Sequence, residues 1–243
     1  VTLRRVLQEL SASSLINALG ELKSRKYEIS NSYNVIGPID VDQYFKKEID
    51  ERIIQDSFNH VLIKDTLRSI SIFTNTELDF LIILQEKFTL NASKLSKSEY
   101  KNELERLAID LSWKSSQIEG NTYSLLETER LLKDKETAAG KTKNEATMLL
   151  NHKDALDFII KNPNYIVPLT VSSIEDIHSI LVKELDISRN IRSSRVGISG
   201  TNYKPLDNEF QIKEAVESMC TLINSKKNVF EKAFLSLVLI SYK

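Results

Sequence analysis

The sequence predicts a mainly α-helical protein with one small β-hairpin, and three observations carry that expectation. Glycine and proline are scarce, six and four in 243 residues, so few positions interrupt a helix. Thr74/Glu77, Ser124/Glu127 and Ser172/Glu175 share the three-residue spacing of a capping box, which starts helices. Apolar residues return every three or four positions through most of the chain, the period of a helix with one buried face. Residues 196–203 depart from this pattern. There β-formers alternate with glycines and read as strand and turn.

From the N-terminus, Leu3, Val6, Leu7 and Leu10 predict a helix that residues 11–14 break. Leu15, Ile16, Leu19 and Leu22 predict a second helix, and Tyr27, Ile29, Tyr33 and Val35 a small β-ribbon. Residues 1–36 are therefore a candidate winged-helix-like or small helical module, with 14–24 as the recognition helix. Arg4, Arg5, Lys23, Arg25 and Lys26 outnumber Glu9, Glu21 and Glu28 only slightly. The module thus reads first as a packing or docking piece, and DNA binding stands second.

Gly37-Pro38 marks a boundary, and residues 37–100 read as a helical region. Asp40 caps a helix with Tyr44, Phe45, Ile49, Ile53 and Phe58 on its apolar side. Thr74/Glu77 opens another, with Leu78, Leu81, Ile82 and Leu84, and 91–98 is a polar loop. Residues 101–243 form the last region. Leu104, Leu107, Ala108, Leu111 and Ile118 describe one buried helix face. Gly120 suits the left-handed conformation that ends many helices, and Ser124/Glu127 starts the next. Residues 133–143 read as a loop, 145–160 as a long helix stopped by Asn162-Pro163. Ser172/Glu175 caps a helix buried through Ile174, Ile177, Leu181 and Leu185. Residues 221–227 read as a polar connection, followed by a strongly buried final helix with Phe230, Ala233, Phe234, Leu237, Val238 and Ile240.

Two stretches carry the candidate chemistry. In Ser115-Ser116-Gln117-Ile118-Glu119-Gly120-Asn121, Ser115 and Glu119 lie one helical turn apart and point the same way. Read alone, this is equally a helix C-terminus with a solvated glutamate. In the second, Arg192 precedes Val196, Gly197, Ile198, Ser199, Gly200, Thr201 and Tyr203, then Pro205. A hairpin edge there can pair with an incoming peptide strand, and its glycines allow close approach to a ligand. Read alone, it is a surface hairpin.

The first stretch resembles the inhibitory motif of Fic-family proteins, Ser or Thr, three residues, Glu, then Gly or Asn. The second resembles the Fic flap, an arginine followed by a Val-x-Ile-like strand, glycine and a proline-containing turn. Arg189 and Asn190 stand where relatives often carry glycine. Together the motifs extend the resemblance over about residues 103–243. It implies a Fic-type helical core with a small β-hairpin flap. The implied activity is transfer of AMP from ATP to a target protein hydroxyl, with Mg2+ and ATP required. Self-modification and a homo-oligomer are compatible with it; it leaves the target open, and whether AMP is added, removed or both.

By the same resemblance, Ser115, Glu119 and Gly120 are regulatory, and Ser115 fixes the helix end by hydrogen bonding. Glu119 competes with the ATP γ-phosphate for a loop arginine. Ile198, Ser199, Gly200 and Thr201 line the nucleotide, and Arg192, Val196, Gly197, Ile198 and Tyr203 align the target chain. The family's catalytic loop, His-x-Phe-x-Asp/Glu-Gly-Asn-x-Arg, follows the final helix. No residue up to Lys243 matches it. The parent protein is then expected to be an enzyme, and this chain, with no catalytic residue or metal ligand, to be inactive.

Composition bounds the alternatives. A net charge of −1 recruits neither nucleic acid nor acidic membranes globally. A single cysteine, Cys220, excludes an internal disulfide framework. With no signal peptide and no spanning run of apolar residues, the cytoplasm is the expected location. His60, His152 and His178 lack neighbours at metal-ligand spacing and read as ordinary helix residues. No Walker or Rossmann phosphate loop is present. The rival reading is a non-enzymatic DNA- or protein-binding regulator on a helical scaffold.

Overall fold

The computed structural model describes residues 2–52, 55–188, 191–192, 196–197 and 203–241, the side chains of Lys23 and Ile49 excepted. The chain is mainly helical, with a small antiparallel hairpin, and divides into two compact units, Val1–Leu78 with Ser193–Lys243, and Asp79–Arg192. No helix among the described residues is long and apolar enough to cross a membrane.

The first unit opens with α1 (Leu3–Ala12), which lies against a hairpin of β1 (Ile16–Leu19) and β2 (Lys26–Ile29). The register pairs Ile16 with Ile29 and Leu19 with Lys26. This corrects the expected second helix over 14–24. Leucines and isoleucine at spacing three imitate a helix, yet pairing with β2 claims the backbone of 16–19, and Gly20 turns the chain at φ +75°. Of the expected ribbon, Tyr27 and Ile29 lie in β2, whereas Tyr33 and Val35 lie in α2 (Asn31–Ile36), which Ser30 caps through Tyr33 N–H. Asp40 caps α3 (Val41–Lys46) as expected, but the helix ends at Lys46.

A π-helical turn at Leu62–Thr66 leads into the short α4 (Leu67–Ser69). With α10 (Glu209–Ser225) and α11 (Val229–Ile240) these form the core of the unit. It contains Ile63, Leu67, Ile70, Ile212, Met219, Leu222, Leu235 and Leu239. Residues 221–225, expected as a connection, continue α10, because Leu222 and Ile223 belong to its buried face. The apolar face expected on α11 is also displaced. Leu235 and Leu239 are buried, while Leu237, Phe234 and Ile240 are exposed.

α5 (Asn75–Ala92) starts where Thr74 and Glu77 exchange hydrogen bonds, and none of its residues is buried. The second unit follows with α6 (Lys97–Ile118), α7 (Leu125–Asp134), α8 (Lys143–Lys161) and α9 (Val171–Leu181). Reciprocal capping boxes start α6 at Ser96/Glu99, α7 at Ser124/Glu127 and α8 at Thr142/Glu145. The box of α9 is Thr170/Ser173, not the expected Ser172/Glu175. Tyr123, Leu131, Ala146 and Leu149 make a buried cluster with Ala138 packed against it. Asn151 of α8 donates to the carbonyls of Leu181 and Lys183, at 3.1 and 2.7 Å, and so fastens the end of α9.

Candidate functional site

The site is built around the end of α6, and its geometry starts from which face that helix buries. The buried residues are Ala108, Ile109, Ser112 and Ser116. Leu107, Leu111 and Ile118, expected inside, are exposed, Ile118 by 84%. The helix lies against α7 and α8. Ala108, Ser112 and Ser116 recur every four residues, and small side chains let neighbouring backbones approach closely. Bulky leucines at the same positions would hold them apart.

The close packing leaves the hydroxyls of Ser112 and Ser116 fully buried and without a hydrogen-bond partner among the described residues. An unmade buried hydrogen bond costs about 1–3 kcal/mol, and alanine also favours a helix over serine. Ser112→Ala and Ser116→Ala are therefore each expected to stabilise the protein by about 1 kcal/mol in urea unfolding. A loss of similar size would show that these hydroxyls do have partners.

Beyond Ile118 the chain leaves the helix at Glu119, with φ −84° and ψ 11°, and Gly120 takes φ +87°, the left-handed turn expected there. An added Cβ at Gly120 would meet nothing within 4 Å, so the backbone angle, not space, favours glycine. The expected hydrogen bond from Ser115 is not what holds this end. Its half-buried side chain has no hydrogen bond among the described residues.

Asn121 holds the end instead. Its N–H donates to Ser116 O at 2.9 Å, Nδ2 donates to Glu145 O at 2.8 Å, and Oδ1 accepts from Tyr123 N–H at 3.0 Å. From the preceding helix, Trp113 Nε1 donates to Tyr123 O at 2.9 Å. Lys141 Nζ donates to Thr122 O at 2.7 Å and lies 5.8 Å from the Tyr123 ring centroid.

Glu145 joins two helix connections. Oε2 accepts from Thr142 N–H and Oγ1, completing its own cap, while Oε1 accepts from Thr122 N–H at 2.9 Å and Oγ1 at 2.6 Å. The Thr122 hydroxyl, with the Thr142 and Thr122 N–H groups and the Thr142 hydroxyl, pulls its pKa from the ordinary 4.5 down to about 2. A depressed carboxylate stabilises the fold above its ordinary pKa, and that contribution disappears as pH falls through the folded value. The melting advantage of wild type over Glu145→Gln is thus expected to be full above about pH 5. It should shrink between pH 4.5 and 2 as Glu145 is protonated. Other capping glutamates are common to both proteins and cancel in the difference. An advantage unchanged at pH 2 would refute the bridging role.

Glu119 itself is exposed, and its carboxylate makes no ion pair or hydrogen bond among the described residues. Its charge acts on His152 of α8. Burial holds that imidazole below its usual range, and the Glu119 charge partly opposes the shift. The structure therefore presents one open carboxylate on a rigid helix end.

Ser115, Glu119, Gly120 and Arg192 belong to the second unit, and Val196, Gly197 and Tyr203 to the first. Val196 and Gly197 are exposed in irregular backbone, and Arg192 and Tyr203 are half-buried. Ile198, Ser199, Gly200 and Thr201, the expected nucleotide-lining strand, lie outside the described residues, as do Arg189 and Asn190. Among the described residues no group of three or more His, Cys, Asp and Glu side chains could hold a metal ion. Asn121 and Glu145 escaped sequence reading. Glu145 is legible in the sequence only as the start of a helix, and nothing local announces its second partner. No protein-family model, curated protein or solved structure matches the chain.

Proposed function

We propose that this chain is part of a Fic-type protein adenylyltransferase whose resting state is enforced by the helix ending at Glu119. The supporting observation is the mounting of that carboxylate. α6 is locked by Asn121 and Trp113, the turn behind it is bolted to α8 through Glu145, and Glu119 projects without a hydrogen-bond or ion-pair partner among the described residues. A carboxylate held in this way is prepared to receive a cation from another segment, and a charge-assisted hydrogen bond to arginine is the strong form of such contact.

In the proposed reaction a target hydroxyl attacks the α-phosphorus of ATP. Its oxygen–phosphorus bond forms as the bond to pyrophosphate breaks, and the hydroxyl proton passes to a base. The resemblance assigns base, metal ligand and phosphate cradle to a loop outside this sequence. What this chain contributes is restraint. Glu119 and a γ-phosphate are both anionic, and one arginine cannot serve both fully.

The test uses the complete reading frame that encodes this chain. Incubation with α-labelled and γ-labelled ATP is expected to label protein from the α-labelled nucleotide only, while residues 1–243 alone incorporate neither. Label from γ-labelled ATP would indicate phosphoryl transfer, and absence of label with Glu119→Gly present would remove the adenylyltransferase reading.

A further inference from the structure

α5 (Asn75–Ala92) is one uninterrupted helix of 18 residues, and none of them is buried. Its apolar residues nevertheless have sides. Leu78, Leu81 and Ala92, on one side, are half-buried. Phe80, Ile83, Leu84 and Phe88 are each between 45% and 60% exposed. At about 100° per residue, Phe80, Leu84 and Phe88 fall within about 80° of arc and Ile83 borders them. The back of the helix carries Asp79, Glu86 and Thr89, with Ile82 between them. An apolar helix face of this kind is normally packed against another element, and exposed apolar patches mark interaction sites.

The order of residues along the exposed face names its occupant. Glu77, Phe80, Leu84, Phe88 and Asn91 follow at steps of three, four, four and three. The face therefore reads polar, aromatic, leucine, aromatic, polar in both directions. Such a pattern is self-complementary under a two-fold axis, the symmetry of most homodimers. With the axis at Leu84, the two copies of Leu84 meet, and each Phe80 lies beside Phe88 of the second copy. Each Glu77 then lies beside Asn91 of the second copy. Glu77 Oε2 already accepts from Thr74 N–H and Oγ1, both at 2.8 Å, while Oε1 has no hydrogen bond among the described residues. That oxygen is open to the asparagine amide. The only cation on the face is Lys87. Its two copies stand six residues apart along the axis, about 9 Å, so like charges do not meet.

The area also suffices. Phe80, Ile83, Leu84 and Phe88 expose roughly 400 Å² in one copy. With the stems of Glu77, Lys87 and Asn91, two copies cover about 1,100 Å², just above the 1,000 Å² or so that a specific interface needs. We propose that α5 is a homodimer interface, in which two copies of this chain pack antiparallel about a two-fold axis at Leu84. The dimer is of micromolar strength, because its area lies near that lower limit. It rests on α5 alone and does not depend on AMP transfer.

The test is sedimentation equilibrium of the 243-residue chain between about 1 and 200 μM. The mass is expected to climb from one chain towards two. Leu84→Glu places two carboxylates on the axis and should weaken the dimer at least about thirtyfold, with circular dichroism and melting unchanged. Phe80→Cys and Phe88→Cys chains, mixed and oxidised, should link to each other by a disulfide, whereas neither links to itself. The native Cys220 is buried and stays out of this reaction. A chain that remains monomeric, or a dimer indifferent to Leu84→Glu, overturns the proposal. So does linking within one cysteine variant alone, which would mean parallel packing. A Leu84→Glu chain that loses helix or melts early also overturns it, because the face would then be covered by its own chain.

Discussion

Glu119→Gly in the full-length protein is expected to raise AMP transfer about tenfold to a hundredfold while leaving the fold almost undisturbed. The structural half rests on exposure. Glu119 is the cap residue of α6, outside the buried row of Ala108, Ile109, Ser112 and Ser116, so its removal opens no cavity. Surface truncations usually change stability by about 0.5 kcal/mol or less, and glycine near a helix end adds up to about 1 kcal/mol. Since residue 119 has negative φ, glycine gains nothing there from its left-handed freedom.

The functional half rests on one charge-assisted contact with the loop arginine of the proposed enzyme, worth roughly 1.5–3 kcal/mol. If that contact sets the resting state, its loss corresponds to the tenfold to hundredfold gain. Autoadenylylation of both proteins, with a melting curve for each, checks the expectation. An ordinary solvated glutamate predicts unchanged or lower activity, so the two readings differ in sign. A mutant that melts like wild type and gains nothing would end the inhibitory assignment.

The largest stability effect is expected in the first unit, at Lys226. Lys226 and Glu231 are both buried, 3.7 Å apart, at the junction of α10 and α11. Lys226 Nζ donates to Ile70 O at 2.7 Å and Glu231 Oε1 accepts from Ile72 N–H at 2.9 Å. The pair therefore ties residues 70–72 to the start of α11, whose first turn Asn228 caps.

Lys226→Met leaves a buried carboxylate without its cation, a change that typically costs about 3–5 kcal/mol. The surviving Ile72 bond places the expectation at the lower end, a midpoint drop of roughly 6–12 °C for a chain of this size. Lys226→Met/Glu231→Gln removes the orphaned charge but keeps an acceptor for Ile72, so it should recover more than half of the loss. Failure of the double variant to recover would show that the lysine acts through its packing and its hydrogen bond to Ile70 O, not through its charge pair with Glu231.

Much of the second unit was legible because its signals are local. Ser124/Glu127 cap α7 and Gly120 turns left-handed, both where the sequence expects them. The loop before α8 and the stop after it at Asn162 also agree. The α9 cap was misplaced because its third residue is serine, which the Ser/Thr-x-x-Glu pattern overlooks.

Faces were less legible than boundaries. α6 and α11 carry apolar residues on more than one side, so period alone does not choose the inner one. On α6 the choice fell on the small residues, against the hydrophobicity ranking. In the first unit, residues 16–19 have a spacing that suits a helix, and only the partner strand ten residues later decides against it. The association of residues 1–78 with 193–243 in one unit has no local signature either.

The mainly helical class and the extents of α7 and α8 were thus determined by the sequence itself, because caps, glycine turns and proline stops act within about four residues. So was the position of Glu119 at a helix end. Tertiary structure alone decided that α6 buries serines instead of leucines, that Asn121 rather than Ser115 holds its end, and that Glu145 bridges two caps. It alone paired Lys226 with Glu231 and made 16–29 a hairpin. Each of these depends on a partner distant along the chain, and burial and buried hydrogen bonds are settled by the partner's shape and donors, which no local pattern contains.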